Sequence, residues 1–244
     1  MPRISRTPQQ VDAFRQEILD AALHLIIEHG FAELSMRKIA SRLGVTATTI
    51  YNYYASRDEL YFFIRIRGFE LLFESLVNTY KVNNDPYEKL CAVVEEYVRF
   101  GISNPDYYEV MFISRGVPKF LDCIGTPLSQ VAGREKETSI KIFLFIAQGI
   151  AEFLSIPEAE ARHLTIKLWT ELNGIVSLLN SRLLREVEEQ TEPLVKRLTS
   201  DICERYRQII VEKSLNISIK QGGIDNAESN ANASKTRLSL NDKT

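Results

Sequence analysis

Glycine and proline are scarce in this 244-residue chain, 11 and 8 in all, and period-two alternation of apolar and polar residues is rare. Both absences argue against a sheet-built fold and leave an all-α reading. No apolar run approaches the ~18 residues that span a bilayer; the densest, residues 140–150, is broken by Lys141 and Gln148. The opening MPRISRTPQQ carries charge but no apolar segment, so it does not read as a secretory leader, and a cytoplasmic location with no membrane partner is expected. Cys91, Cys123 and Cys203 are far apart with no paired spacing, which points to buried structural thiols rather than a disulfide framework. His24, His29 and His163 join no nucleophile pattern, metal-ligand spacing or glycine-rich phosphate loop. Glu160 and His163 could share a helix face, the arrangement of an ordinary surface pair. The chain is therefore not expected to be an enzyme, and no metal or cofactor is assigned. Net charge is −2, which gives no argument for a polyanionic partner.

What is present is a dense grammar of helix starts and stops. Thr7-Pro8-Gln9-Gln10 reads as N-cap, first-turn proline and capping-box glutamine. The helix it opens carries Val11, Phe14, Ile18, Ala22 and Leu25 on one face and stops at Gly30. Ser35 caps a second helix with Met36, Ile39, Ala40 and Leu43 inward, ended by Gly44 where a positive φ costs least. Thr46 caps a third, and Ser56-Arg57-Asp58-Glu59 is a capping box for a fourth. Helix, glycine turn, helix is the arrangement that places a second helix in the DNA major groove.

At these residues the chain resembles the TetR family of transcriptional regulators. Ile39-Ala40, Gly44-Val45, Thr49-Ile50-Tyr51, Tyr54 and Arg57-Asp58-Glu59-Leu60 fall in register on that family's pattern. Tyr54 stands where the family usually has Phe, and Arg57 where it usually has Lys. The resemblance implies an N-terminal three-helix DNA-binding domain (1–68), joined by a long helix to a helical ligand-binding and dimerisation domain (69–213). It further implies a homodimer on a double-stranded DNA operator.

Between Gly44 and Ser56 there is no Lys or Arg, so the third helix lacks the guanidinium–guanine reader that is the commonest specific contact. Base-edge groups are expected from Ala47, Thr48, Thr49 and Asn52. Phosphate positioning is expected from Ser35, Thr46, Tyr51, Asn52 and Arg57, with Arg37 and Lys38 flanking; the roles of Tyr51 and Arg57 are those the resemblance implies. Tyr53 and Tyr54 read as core rings. Arg3 and Arg6 could reach a minor groove or simply form a loose start.

The fourth helix should run about 25 residues toward Lys81 and couple the two domains. Further starts at Asp85-Pro86, Asn104-Pro105, Thr126-Pro127, Ser155-Ile156-Pro157 and Thr191-Glu192-Pro193 bound helices near 86–103, 105–114, 127–154, 158–184 and 193–213. Gly133 and Gly149 could bend the 127–154 segment. Two stripes, Leu164/Leu168/Leu172/Ile175/Leu179/Leu183 and Leu194/Leu198/Ile202/Tyr206/Ile209, could form a dimeric four-helix bundle or cover the domain's own core. Residues 214–244 are rich in Asn and Ser, and are predicted disordered.

Trp169-Thr170-Glu171-Leu172-Asn173-Gly174 is similar to the Trp-x-x-x-His-Gly signature of one TetR C-terminal subgroup, with Asn173 in place of the histidine. A regulator of this kind holds a small-molecule effector in an apolar cavity. Tyr97, Phe100, Tyr108, Met111, Phe112, Phe143 and Trp169 are the expected lining. A ligand-independent architectural or interaction factor on the same fold is the alternative.

Overall fold

The computed structural model of the chain describes residues 7–212; Arg3, Arg6 and the polar segment from residue 214 lie outside the described residues. Among the described residues ten α-helices follow one another and there is no strand. Each N-terminal helix starts where a side-chain oxygen can satisfy the first free amides. Thr7 and Gln10 form a reciprocal capping box for α1 (Pro8–His29). Ser35 caps α2 (Met36–Arg42), and Thr46 caps the five-residue α3 (Ala47–Tyr51). Ser56 accepts from the Glu59 amide to open α4 (Arg57–Val82), while the Glu59 carboxylate accepts from the Ala55 amide. Gly44, at φ +65°, turns the chain between α2 and α3 in a conformation that would strain any side chain.

α1, α2, α3 and the first turns of α4 enclose one core, in which Ile18, Ile39, Ile50, Leu60 and Ile64 are fully buried. Beyond Arg65, α4 leaves that core and enters a second, where Phe69, Leu72 and Leu76 pack against α5 (Pro86–Ser103), α7 (Ser129–Leu154), α8 (Glu158–Asn180) and the helix α10 over residues 191–212. α4 is thus one rigid rod shared by two cores. α7 runs without a break through Gly133 and Gly149. No single helix among the described residues is long and apolar enough to cross a membrane.

The chain departs from the sequence reading at three places. After Asn104-Pro105 the helix persists only as α6 (Pro105–Tyr108) and then widens into a π-helical turn, Glu109–Ile113. Thr126 closes a turn by donating to the Cys123 carbonyl instead of capping a helix, so α7 starts at Ser129. α8 ends at Asn180 rather than near 184, because Arg182 adopts φ +64° before the short α9 (Leu183–Val187). Cys91, Cys123 and Cys203 are free thiols, the last two buried and Cys91 half-buried, and the neighbouring Cys203 thiol holds the Cys91 thiol below its ordinary pKa.

The stripe residues proposed for dimerisation largely turn inward. Leu168, Leu172, Ile202 and Tyr206 are buried in this chain's own core, because α10 returns across α8 within one subunit. The face left outward carries Thr170, Gly174, Leu178, Leu198, Asp201 and Arg205, lining a shallow groove between the two helices.

Gly101 on α5 is a point of close approach to α8. A Cβ there would lie 2.5 Å from Cγ1 and 3.0 Å from Cγ2 of Val176. Valine is stiff about χ1, so overpacking of about 1–3 kcal/mol should exceed the gain in helix propensity of roughly 1 kcal/mol. Gly101→Ala is expected to lower stability in urea denaturation despite placing a better helix former there.

Candidate DNA interface and effector cavity

α3 is fixed from below by its apolar residues. Ile50 is fully buried, the Tyr53 ring meets Phe14 edge-on at 5.2 Å, and Tyr54 meets Phe63 in the same way at 5.3 Å. Tyr53 and Tyr54 therefore belong to the core, as their spacing suggested. Burial pushes the Tyr54 hydroxyl up to about 12. Anchoring that side leaves Thr46, Thr48, Tyr51 and Asn52 exposed together, with Ala47 and Thr49 half-buried beside them. The face is short and nearly uncharged, lined by methyls, hydroxyls and one amide.

The flanking groups divide by what already holds them. Ser35 Oγ accepts from the Lys38 amide at 3.2 Å, and Thr46 Oγ1 accepts from the Thr49 amide at 3.2 Å, so both hydroxyls serve as caps at the rim of this face. Arg37 is exposed, whereas Lys38 Nζ is ion-paired with Glu33 at 2.8 Å. Arg57 is the least free: it donates to the Ala32 carbonyl at 3.1 Å and stacks 5.2 Å from the Phe31 ring centroid. It thus ties the start of α4 to the entry of α2, and its side chain is 45% exposed.

The second site is a cavity of about 520 Å³ in the helical domain, walled by α4, α5, the π-turn, α7 and α8. Tyr97, Met111, Phe112, Phe143 and Trp169 line it as the sequence suggested. Phe100 and Tyr108 do not. Phe100 packs into the core, and Tyr108 lies behind the wall with its hydroxyl donating to Asn173. Sequence reasoning missed Arg65, Phe69, Asn173 and Ser177, which helical periodicity alone could not direct to a common space.

The polar wall is internally satisfied. Trp169 Nε1 donates to the Tyr97 hydroxyl at 3.2 Å, which donates to Asn173 Oδ1 at 3.3 Å. Tyr108 donates to the same oxygen, and Asn173 Nδ2 donates to the Trp169 carbonyl at 3.0 Å. Tyr108 also donates to the Asn173 backbone carbonyl at 3.2 Å, so Asn173→Leu should strand the Tyr97 hydroxyl alone and cost about 1–3 kcal/mol, read as a lowered melting temperature, whereas Thr48→Ala on the exposed α3 face should leave that temperature unchanged.

The π-turn joins cavity to DNA-binding domain. Its Met111 and Phe112 side chains line the cavity, while its backbone carbonyls face α4: Tyr61 donates to Val110 O at 2.9 Å and Arg65 Nη2 to Met111 O at 3.3 Å. Arg65 Nη2 also contacts Glu135 of α7 at 2.9 Å, with both side chains at most 10% exposed. Burial raises the Glu135 carboxyl above its ordinary pKa, against the attraction of Arg65 and Lys119.

Comparison with known proteins agrees with this anatomy. The family model described as bacterial regulatory proteins, tetR family, matches residues 18–62, and a tetracyclin repressor-like C-terminal domain model matches residues 90–202. The chain belongs to the TetR family of helix-turn-helix transcriptional regulators. Among curated relatives, the HTH-type transcriptional activator FasR of Mycolicibacterium smegmatis is 27% identical over 110 residues, 45% of this chain and 49% of the relative. The chain spans about half to three-fifths of the length of the curated relatives it matches first. The crystal structure of the regulatory protein SCO4313 has the same fold, with a TM-score of 0.65 and 18% identity over 81% of this chain and 98% of that one. FadR from Bacillus subtilis, solved in complex with stearoyl-CoA, gives a TM-score of 0.59 and 16% identity over 78% of this chain and 96% of that one.

Proposed function

We propose that this protein is a homodimeric repressor that binds a near-palindromic operator and is released from it by a small apolar or aromatic effector. The observation that carries the reading is the path from cavity to α4. Residues that line the cavity sit on the same π-turn whose carbonyls hold Tyr61 and Arg65, and α4 continues without interruption into the helix-turn-helix core. An occupant that moves Met111 and Phe112 must move groups bonded to that rod. Its leverage on DNA binding equals its differential affinity for the two states.

One such domain buries too little surface for operator-grade affinity, so two copies joined through the outward face of α8 and α10 are expected to read half-sites about one helical turn, ~34 Å, apart. The FadR structure with stearoyl-CoA supports an elongated apolar occupant. The relative FasR is named an activator, and the sign of control depends on where the operator lies relative to the promoter.

The test is a thermal-shift screen of small apolar compounds followed by operator titration. Compounds that raise the melting temperature should weaken operator affinity, and Phe112→Ala should abolish both effects. Stabilising compounds that leave operator affinity unchanged would reject the effector role.

A further inference from the structure

The cavity's polar side chains differ in one respect. Ser139 donates to the Lys136 carbonyl, Thr165 to the Ala161 carbonyl, and Tyr97, Trp169 and Asn173 satisfy one another. Arg65 Nε has no hydrogen-bond partner, the one such buried side-chain atom among the described residues. Its guanidinium lines the cavity beside Phe69, whose ring centroid is 5.6 Å away, and the residue is only 8% exposed. A buried N–H without a partner loses its hydration without replacement. Such an atom, on a residue in the wall of a space of about 520 Å³, calls for an acceptor brought by the occupant.

Charge narrows the choice. Arg65 is the one charged side chain among the described residues that line the cavity, so the charge an occupant meets there is positive. The Nε and Nη2 edge of a guanidinium presents two parallel donors, the spacing that a carboxylate's two oxygens accept. Nη2 already meets one carboxylate there, that of Glu135, at 2.9 Å.

We infer that the effector is an amphipathic carboxylate, its apolar body among Phe69, Phe112, Phe143 and Trp169 and its head group on Arg65, where it competes with Glu135 for the guanidinium. The inference rests on the reading of this cavity as the effector site. It also gives the effector a direct grip on α4, because the contested residue stands on the rod where it passes from one core to the other. Winning Arg65 from Glu135 would loosen the tie between α4 and α7.

Trp169 is the single tryptophan and stands in the cavity wall, so its fluorescence reports occupancy in the full chain. Decanoate, 1-decanol and decylamine share one apolar body and differ in the head group. Decanoate should bind about tenfold or more tighter than 1-decanol, the effect of one charge-assisted hydrogen bond, and decylamine should bind weakest. Glu135→Gln keeps a hydrogen-bonding partner for Arg65 but removes the competing charge, and should tighten decanoate binding alone. Arg65→Lys keeps the charge but removes the fork, and should bring decanoate to within about threefold of 1-decanol. Equal or tighter binding of 1-decanol or decylamine would overturn the carboxylate inference while leaving the effector cavity standing. So would decanoate affinity unchanged in a cooperatively melting Glu135→Gln protein. No fluorescence or thermal response to any of the three would overturn the cavity reading and the inference together.

Discussion

Glu135→Leu is expected to destabilise the protein by about 3–5 kcal/mol, because it leaves the Arg65 guanidinium buried without its counter-charge. Both members of this pair are nearly excluded from solvent, at 10% and 5% side-chain exposure, so screening and hydration cannot take the place of the lost partner. The attraction need not exceed the cost of burying the charges. The carboxyl titrates above its ordinary value, with burial the leading cause. A carboxyl whose folded pKa is raised contributes most below its unfolded pKa, and that contribution falls away as pH rises through the folded value. Arg65→Met combined with Glu135→Leu should therefore recover much of what the single change loses. Urea denaturation of the two single variants and the double variant gives the coupling directly. Additive losses would show that the pair does not act as a unit.

Tyr51→Phe together with Arg57→Ala is expected to weaken binding to every duplex by roughly a hundredfold, with little change in sequence preference. Loss of one cation per protomer should also flatten the salt dependence by about two in the slope of log K against log salt for a dimer. The structure separates the two residues. Tyr51 is 54% exposed, so Tyr51→Phe should leave stability unchanged. Arg57 holds the Ala32 carbonyl and the Phe31 ring, so Arg57→Ala should also lower the melting temperature. Undiminished affinity at several salt concentrations in the double variant would remove both residues from the phosphate-contacting set.

What could be read from the sequence follows from how local each determinant is. The caps at Thr7, Ser35, Thr46, Ser56 and Asp85 each involve residues within four positions, so helix starts were legible. Breaks without a glycine or proline signal were not. Arg182 takes φ +64° with no glycine to mark it, and the π-turn at Glu109–Ile113 accepts through its carbonyls from Tyr61 and Arg65 of α4, far away in sequence. The cavity was legible in part for the same reason. Aromatic and Met residues announce an apolar wall, but only packing decides that Phe100 faces the core while Phe69 faces the space. The Arg65–Glu135 pair joins α4 to α7, and no spacing rule connects residues so far apart.

Selection of bound duplexes from a random-sequence pool by the full chain, followed by hydroxyl-radical footprinting of the winner, bears most directly on DNA recognition by α3. The protein should enrich a two-fold-symmetric site and protect two half-sites centred about one helical turn apart, and Asn52→Ala should relax the enriched sequence. A pool that stays random through repeated rounds at low salt would contradict the account.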